Sequence, residues 1–321
     1  MNLIKKSSLL LAAALAICLS GIAYLRFGAD PVAAQGSAAG QVSGQAIYSL
    51  TQQFLRVAPK RFNGSPGHLA AEKFIKDHFA PEEAKGNLVT DQFTANTPAG
   101  MQTMRNYIVK FPGKKDGIIV LASHYETNYP LRDINFVGAN DGACTTALLI
   151  ELGAYFRTHP PQGYSVWLVF DDGEEAVQQW TETDSLYGTK HLAAKWYADG
   201  TLKRIKAFIV ADMIGDKDLN IDKVTSSTPW LLDVLKTAAK QTGHSANIFK
   251  YDEDEEDDHL PFVQRGVPSL DVIDAHYGPT GPFTPDGYHH TEQDTIDKIS
   301  PHSLQVSADI FLQMIRLIDQ R

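Results

Sequence analysis

Histidine and carboxylate side chains recur after short apolar segments of this sequence, and both side-chain types bind zinc in proteins. No HExxH or CxxC pair fixes two ligands on one element, so spacing alone is weak evidence for a metal. A helix cap or a solvated acid is the commoner role for any one of the carboxylates. Together these residues nevertheless suggest a strand-end zinc site, with the candidate ligands His124, Asp141, Glu174 or Glu175, Asp212, His276, His289 and His290.

The segment DGEEA at 172–176 places two adjacent glutamates directly after an apolar segment. Successive side chains of an extended chain face opposite ways, so Glu174 and Glu175 cannot both enter the core. At a strand-to-helix turn, one glutamate can bind a metal while its neighbour moves protons. A solvated acidic turn is the alternative for such a pair taken by itself.

Alternating strand and helix patterns are expected to position these side chains. Short apolar segments predict strands at 106–111, 118–123, 165–170, 207–211 and 269–273. Helical spacing predicts helices at 145–156, 185–197, 230–241 and 300–318. This alternation indicates an α/β fold, a single-domain α/β/α sandwich with a central, mostly parallel (mixed) sheet. Ligands of such folds bind beyond the carboxyl ends of the strands, which is where the acids and histidines gather.

Composition and targeting signals limit the class of protein. The formal net charge of -9 and the lack of a basic stripe exclude nonspecific attraction to nucleic acid. Lys5 and Lys6 precede an apolar segment, so residues 1–27 are predicted to be a signal peptide or an N-terminal membrane anchor. Either one exports the protein, which makes it periplasmic or secreted and in the second case membrane-anchored. Residues 28–44 are predicted to be a flexible linker and 45–321 the folded domain.

Cysteine usage predicts a fold without an intrachain disulfide. Cys18 lies in the targeting segment, which leaves Cys144 without a partner in the folded domain. We interpret Cys144 as a small buried side chain rather than a nucleophile.

Several ordered segments resemble a known enzyme superfamily. GANDGA at 138–143, DGEEA at 172–176, ADMIGD at 211–216 and HTEQDT at 290–295 are similar to segments of the co-catalytic zinc aminopeptidases. Trp180, DSLYGTKHLA at 184–193 and DDHLPFVQRGVP at 257–268 more closely resemble one branch, the glutaminyl cyclases (glutaminyl-peptide cyclotransferases). The resemblance extends from about Phe136 to the C-terminus and more weakly from Phe54. It implies a zinc aminopeptidase-like fold.

The resemblance also implies roles for individual residues. In the cyclase pattern the zinc ligands are Asp141, Glu175 and His290. Glu174 takes the general acid/base position, with Asp212 and Asp257 in its proton network. The substrate pocket involves Trp180, Glu256 and His289. In the aminopeptidase pattern, His124 and Asp212 complete a second zinc site and Asp141 bridges the two metals.

The chain departs from the family pattern at three of these places. Glu126 follows His124-Tyr125 where the relatives usually have His-x-Asp, which favours one zinc over two. His289 occupies the position of a tryptophan in animal cyclases, and Glu256 replaces an amide. Neither departure removes a proposed ligand. The acidic segment 252–258 lacks the alternating ligands and glycine of a calcium loop, and we expect a solvated loop over most of it.

Three functional hypotheses remain open from sequence. The first is a one-zinc cyclotransferase that converts the N-terminal glutamine of a peptide to pyroglutamate with release of ammonia. The second is a di-zinc aminopeptidase that removes N-terminal residues from peptides. The third, ranked last because all proposed ligands are present, is a non-catalytic binding domain. For either enzyme we expect peptide or protein N-termini as substrates and a monomer.

Overall fold

Apolar segments assemble a six-stranded sheet at the centre of the protein. The computed structural model describes residues 42–282 and 285–321. The strands are β1 (Leu88–Thr97), β2 (Gly100–Phe111), β3 (Lys115–His124), β4 (Tyr164–Asp171), β5 (Ile205–Asp212), β6 (Ile221–Val224), β7 (Ile248–Glu253) and β8 (Ser269–Ile273). The order across the sheet is β1-β2-β4-β3-β5-β8, and β4, β3, β5 and β8 are mutually parallel. β1 and β2 are antiparallel, so the sheet is mixed.

Helices cover both faces of the sheet. They are α1 (Gly44–Val57), α2 (Pro66–His78), α3 (Ala80–Glu83), α4 (Cys144–Thr158), α5 (Tyr187–Ala198), α6 (Pro229–Thr242), α7 (Leu260–Val263) and α8 (Pro301–Asp319). Alternate residues of β3 enter opposite layers: Leu121 packs with α1, α4, α6 and α8, whereas Val120 packs with α5 and α7. Both faces are therefore buried, which explains why the central strands are continuously apolar.

The smaller parallel sheet β6–β7 carries part of the acidic segment. The expectation of a loop is wrong at the start of this segment, while Asp257 and Asp258, at its end, are assigned to the cyclase-like segment instead. Asp252 and Glu253 belong to β7, and Asp257 and Asp258 are buried.

The α/β architecture confirms the predicted fold class, and every predicted strand and helix has a counterpart in the structure. Ser300 caps α8 as expected, because its hydroxyl oxygen accepts the backbone N–H of Ser303 at 3.0 Å. Cys144 is fully buried. The predicted signal or anchor lies outside the described residues, as does most of the predicted linker. The prediction of a flexible linker is wrong at its last residues, because Val42 is buried in the core and Gly44 begins α1, so the folded domain starts before residue 45. No helix in the described part of the chain combines the length and the apolar character that crossing a membrane requires.

Candidate active site

The carboxyl ends of three neighbouring parallel strands bring the predicted residues to one edge of the sheet. His124 ends β3 and pairs in register with Asp171 at the end of β4, while Asp212 ends β5. Beside this edge lies a cavity of about 670 Å³. Its lining includes all but one of the predicted site residues, namely Asp141, Glu174, Glu175, Trp180, Asp212, Glu256, Asp257, His276, His289 and His290. The exception, His124, is buried against Asp141.

A fully buried arginine organises the turn that carries Asp141. Arg61 donates through its guanidinium to the backbone oxygens of Tyr125 (2.7 Å), Gly138 (2.8 Å) and Asp141 (2.9 Å). Burial lowers the pKa of Arg61 to about 10, so the group stays charged at neutral pH. At Gly142 a Cβ atom would lie 2.9 Å from the ring of His124, so the turn has no room there for a larger residue.

Asp294 holds the same turn from the other side. Its carboxylate accepts the backbone N–H groups of Asn140 at 2.8 Å and Asp141 at 3.2 Å, and the hydroxyl of Tyr277 at 2.8 Å. Burial, followed by the charge of Asp141, raises the pKa of Asp294 to about 6. The backbone of Asp141 is thus fixed by two buried side chains of opposite charge.

Three of the predicted ligands converge. His290 Nε2 lies 2.9 Å from Glu175 Oε1 and 3.5 Å from Asp141 Oδ2. Asp141 Oδ2 is buried and has no hydrogen-bond partner. An orphaned carboxylate oxygen beside an imidazole nitrogen and a second carboxylate fits the ligand chemistry of zinc. Asn128 donates to the other oxygen of Glu175 at 2.7 Å and so orients that carboxylate.

The charges around these three side chains raise the pKa of His290 and lower the pKa of Asp141. Burial opposes the protonation of His290, but Glu175 and Asp141 outweigh it and raise the pKa of His290 to about 9. Burial also acts against ionised Asp141, yet His124 and His290 lower its pKa below the usual value. Asp141 is therefore a carboxylate at neutral pH.

Glu174 faces the cavity without a partner. Its side chain is only 8% exposed, and its carboxyl group accepts no hydrogen bond from the described residues. Burial raises the pKa of Glu174 well above its usual value, and the neighbouring charge of Glu175 adds to the rise. Asp257 contributes less to this rise, and Asp212 is not among its main causes.

A second cluster adjoins Asp141. His124 Nε2 lies 3.1 Å from Asp141 Oδ1 and 3.4 Å from Asp212 Oδ1, which matches the predicted second-metal alternative. Neither ring nitrogen of His124 has a hydrogen-bond partner, and on the Nδ1 side Glu126 Oε1 lies 3.9 Å away and accepts the N–H of Glu175 instead. A zinc-binding histidine almost always donates its second N–H to an acceptor, and His124 lacks one.

Buried carboxyl groups form two close pairs beneath the cavity. Asp257 lies against Asp271, and Asp171 lies against Asp258, which also accepts the hydroxyl of Thr189. Burial raises the pKa of Asp257 first, and the charges of Asp212 and Asp258 add to the rise. Because two buried carboxylates cannot both ionise at contact distance, each pair holds a proton.

The predicted pocket residues form the cavity wall. Trp180 is half-buried, and its indole N–H donates to Glu256 Oε2 at 3.1 Å. His289 packs on His290 with ring centroids 3.8 Å apart. His276 contacts neither Asp141 nor Glu175; it pairs with Asp222 at 3.3 Å.

Sequence reasoning missed Arg61, Asn128, Asp271 and Asp294. Asp271 carried a signal, because it is an acid in the middle of an otherwise apolar strand. Asp294 stands inside the HTEQDT segment, without an indication of its role. Arg61 and Asn128 lie in irregular segments whose burial no pattern indicates.

Backbone strain also marks the site. His290 (φ 55°), Met213 (φ 47°) and Leu186 (φ 52°) adopt left-handed conformations that non-glycine residues rarely occupy. Met213 follows Asp212, and the N–H of Leu186 donates to the carbonyl of Glu174 at 2.7 Å. Such strain persists where the surrounding structure holds a functional group in place.

Comparison with known proteins identifies relatives of this chain. The profile described as Peptidase family M28 matches residues 106–315. A crystal structure of a glutaminyl cyclase from an Acidobacteriales bacterium is 70% identical and has a TM-score of 0.87; the match covers 91% of this chain and 100% of that one. A glutaminyl-peptide cyclotransferase of Boiga dendrophila is 29% identical over 277 residues, which cover 75% of each chain. A zinc-dependent exopeptidase from Parabacteroides distasonis shares the fold, with 20% identity and a TM-score of 0.74 over 88% of this chain and 100% of that one.

Proposed function

The chain belongs to peptidase family M28, and we propose that within this family it is a glutaminyl-peptide cyclotransferase. It converts the N-terminal glutamine of peptides to pyroglutamate and releases ammonia. The observation that carries this function is the 70% identity to a glutaminyl cyclase over that protein's whole length. An unpartnered Glu174 beside a group of zinc-type ligands supports the same reaction.

We propose Asp141, Glu175 and His290 as the ligands of one zinc ion. Bound there, the ion would supply Lewis-acid polarisation of the γ-carbonyl of the substrate glutamine. Asn128 and Arg61 hold Glu175 and the Asp141 turn in place before any ligand arrives.

The substrate carries its own nucleophile, so the protein has to position the peptide and move protons. Glu174 accepts a proton from the α-amine as that nitrogen attacks, and returns it to the departing ammonia. Its raised pKa suits both steps, since a carboxyl group with an ordinary pKa would be a poor acid at neutral pH. Asp212 and Asp257 extend this proton network, and Trp180, Glu256 and His289 form the wall that holds the glutamine.

A di-zinc aminopeptidase is the second candidate, and one observation favours it. His124 and Asp212 converge on Asp141, as a bridged second metal would require. The unpartnered Nδ1 of His124 argues against this second metal. We therefore rank the cyclotransferase first and one zinc per chain above two.

One experiment separates the candidates. The purified full chain is loaded with zinc, its metal content is counted, and a peptide beginning with glutamine is followed by mass spectrometry. Loss of one ammonia from an otherwise intact peptide, at one zinc per chain, is the expected result. Release of free N-terminal residues at two zincs per chain would establish the aminopeptidase instead.

We also propose that the enzyme acts outside the cytoplasm as a monomer. Residues 1–27 are the signal peptide or membrane anchor and residues 28–41 the linker, and the catalytic domain begins with the buried Val42, just before α1. Cell fractionation with N-terminal sequencing checks the location and any cleavage. Light scattering of the purified chain checks the monomer, and a dimer mass would refute it.

A further inference from the structure

Acidic side chains line the mouth of the active-site cavity, and all but one of them come from a single segment of the chain. We define the rim as the five cavity-lining acids Glu253, Asp254, Glu255, Glu256 and Asp286. The first four follow one another from the last residue of β7. No lysine or arginine is among the described residues that line this cavity, so its mouth is strongly anionic.

The charges of the rim are only partly compensated. His276 Nε2 lies 3.5 Å from Glu253 Oε1, and Trp180 donates to Glu256 without adding a charge. The side chain of Glu255 makes no hydrogen bond or ion pair with the described residues. Burial and then the charges of neighbouring carboxylates, Glu253 first among them, raise the pKa of Glu255. Burial and crowded negative charge together produce this shift, and the opposing charge of His276 does not cancel it.

The buried carboxyl group of Glu174, below the rim, is a separate indication that this cavity binds a ligand. It lines the same cavity, is more than nine-tenths buried and has no hydrogen-bond donor of its own. A buried carboxyl group of this kind is satisfied by a bound molecule that brings N–H groups. A peptide whose terminal amine reaches Glu174 must run its following residues outward through the mouth, past the rim.

We propose that the rim selects cationic substrates, namely peptides and proteins with lysine or arginine directly after the N-terminal glutamine. This inference rests on the proposed cyclotransferase function and names its substrate class. An uncompensated anionic mouth concentrates and steers cations and repels acidic chains. Because the rim is partly exposed to solvent, the selection acts on binding and association, and salt screens it.

The test compares three C-terminally amidated peptides, Gln-Lys-Ala, Gln-Gln-Ala and Gln-Glu-Ala, with the zinc-loaded full chain. At about 20 mM salt we expect kcat/KM to fall in that order, by roughly tenfold from the lysine to the glutamate peptide. Most of the difference should appear in KM. At about 500 mM salt the ratio should approach one. Equal kcat/KM values for the three peptides at low salt would overturn the inference and leave the cyclotransferase intact.

Matched variants test whether the acids of the rim cause this difference between the peptides. The double variant Asp254→Asn with Glu255→Gln should bring the lysine-to-glutamate ratio close to one. Asp252→Asn is the control, because Asp252 is an acid of the same segment, lies on β7, pairs with Lys223 and does not line the cavity; it should keep the wild-type ratio. A double variant that also keeps that ratio would overturn the assignment to the rim.

Binding of the same peptides is measured alongside turnover, by isothermal titration. If no peptide is cyclised, the proposed function fails, and the order of the dissociation constants still decides the inference. Equal dissociation constants at low salt would then reject it.

Discussion

Two parts of the cavity are built in different ways. The floor, by which we mean His124, Asp141, Glu174, Glu175 and Asp212, lies at strand ends or in turns held by buried side chains. The rim lies on and after β7 of the small two-stranded sheet, where Asp254 and Glu256 are exposed. The floor therefore holds its groups at fixed distances, whereas the rim supplies mainly charge. Changes in the floor should alter chemistry and metal binding, and changes in the rim should alter selection.

The largest expected effect is at Glu174. Glu174→Gln keeps the shape of the side chain but cannot take up a proton, so kcat should fall about 10³-fold with zinc still bound. Steady-state kinetics and metal analysis check both statements.

Glu175→Gln is the matched comparison, one residue along in the same turn. It should lose both activity and zinc, because it weakens a proposed ligand that contacts His290. Retained turnover in Glu174→Gln would reject the acid/base role, and full zinc content in Glu175→Gln would reject the ligand role.

The second-largest effect is expected at Arg61, whose hydrogen bonds support the floor. Arg61→Met leaves buried backbone oxygens without donors, so the free energy of unfolding should fall by about 3–5 kcal/mol. Zinc affinity should also fall, because the Asp141 turn loosens. Urea unfolding and a competition titration with a chelator measure the two quantities.

Arg157→Met provides the control for Arg61. Arg157 is a partly buried arginine that forms an ion pair with Glu82 at 2.8 Å, and it lies in the last turn of α4, away from the residues that line the cavity. Its loss should lower stability without changing zinc affinity. Equal zinc affinities in both variants would show that Arg61 has no role in positioning Asp141.

The same contrast explains how far the sequence could predict this molecule. The central strands are buried on both faces, so their apolar segments predicted them correctly. The rule that ligands bind beyond the carboxyl ends of parallel strands indicated where the floor would lie. β1 was missed because its burial is one-sided and polar residues interrupt it. Arg61 could not have been predicted, since its role depends on carbonyls from residues about 64 to 80 positions away in the chain. The acidic segment was expected to be mostly solvated because its composition carries no sign of the cavity beside it.

His124 tests whether the floor holds one metal or two. His124→Ala should reduce kcat/KM of the cyclisation by less than about tenfold and leave one zinc per chain, because Asp141 keeps its contact with His290, which in turn keeps its contact with Glu175. His276→Ala is the control, a cavity-wall histidine without a contact to Asp141. Metal analysis with cyclisation kinetics checks the result. Complete loss of zinc in His124→Ala would contradict the proposed ligand set.

The smallest effect is expected at Glu255, where the direction of the change in the free energy of unfolding can be worked out. The pKa of Glu255 is raised by burial and neighbouring carboxylates, so its ionised form costs free energy in the folded state. The acid adds stability below its ordinary pKa and loses it as the pH rises through the raised value. Glu255→Gln should therefore increase the free energy of unfolding at about pH 7 by at most roughly 0.5 kcal/mol, because solvent screens this partly exposed group, and by nothing near pH 4.

Glu253→Gln sharpens this last comparison, because Glu253 has a basic partner, His276 at 3.5 Å, whereas the side chain of Glu255 has none among the described residues. It should bring no gain at neutral pH, as measured by urea unfolding at both pH values. A loss of stability in Glu255→Gln at neutral pH would mean that this carboxylate holds the rim together through its own contacts. The rim would then resemble the floor, with each charge fixed by its neighbours, and the division of labour between selection and chemistry would not hold.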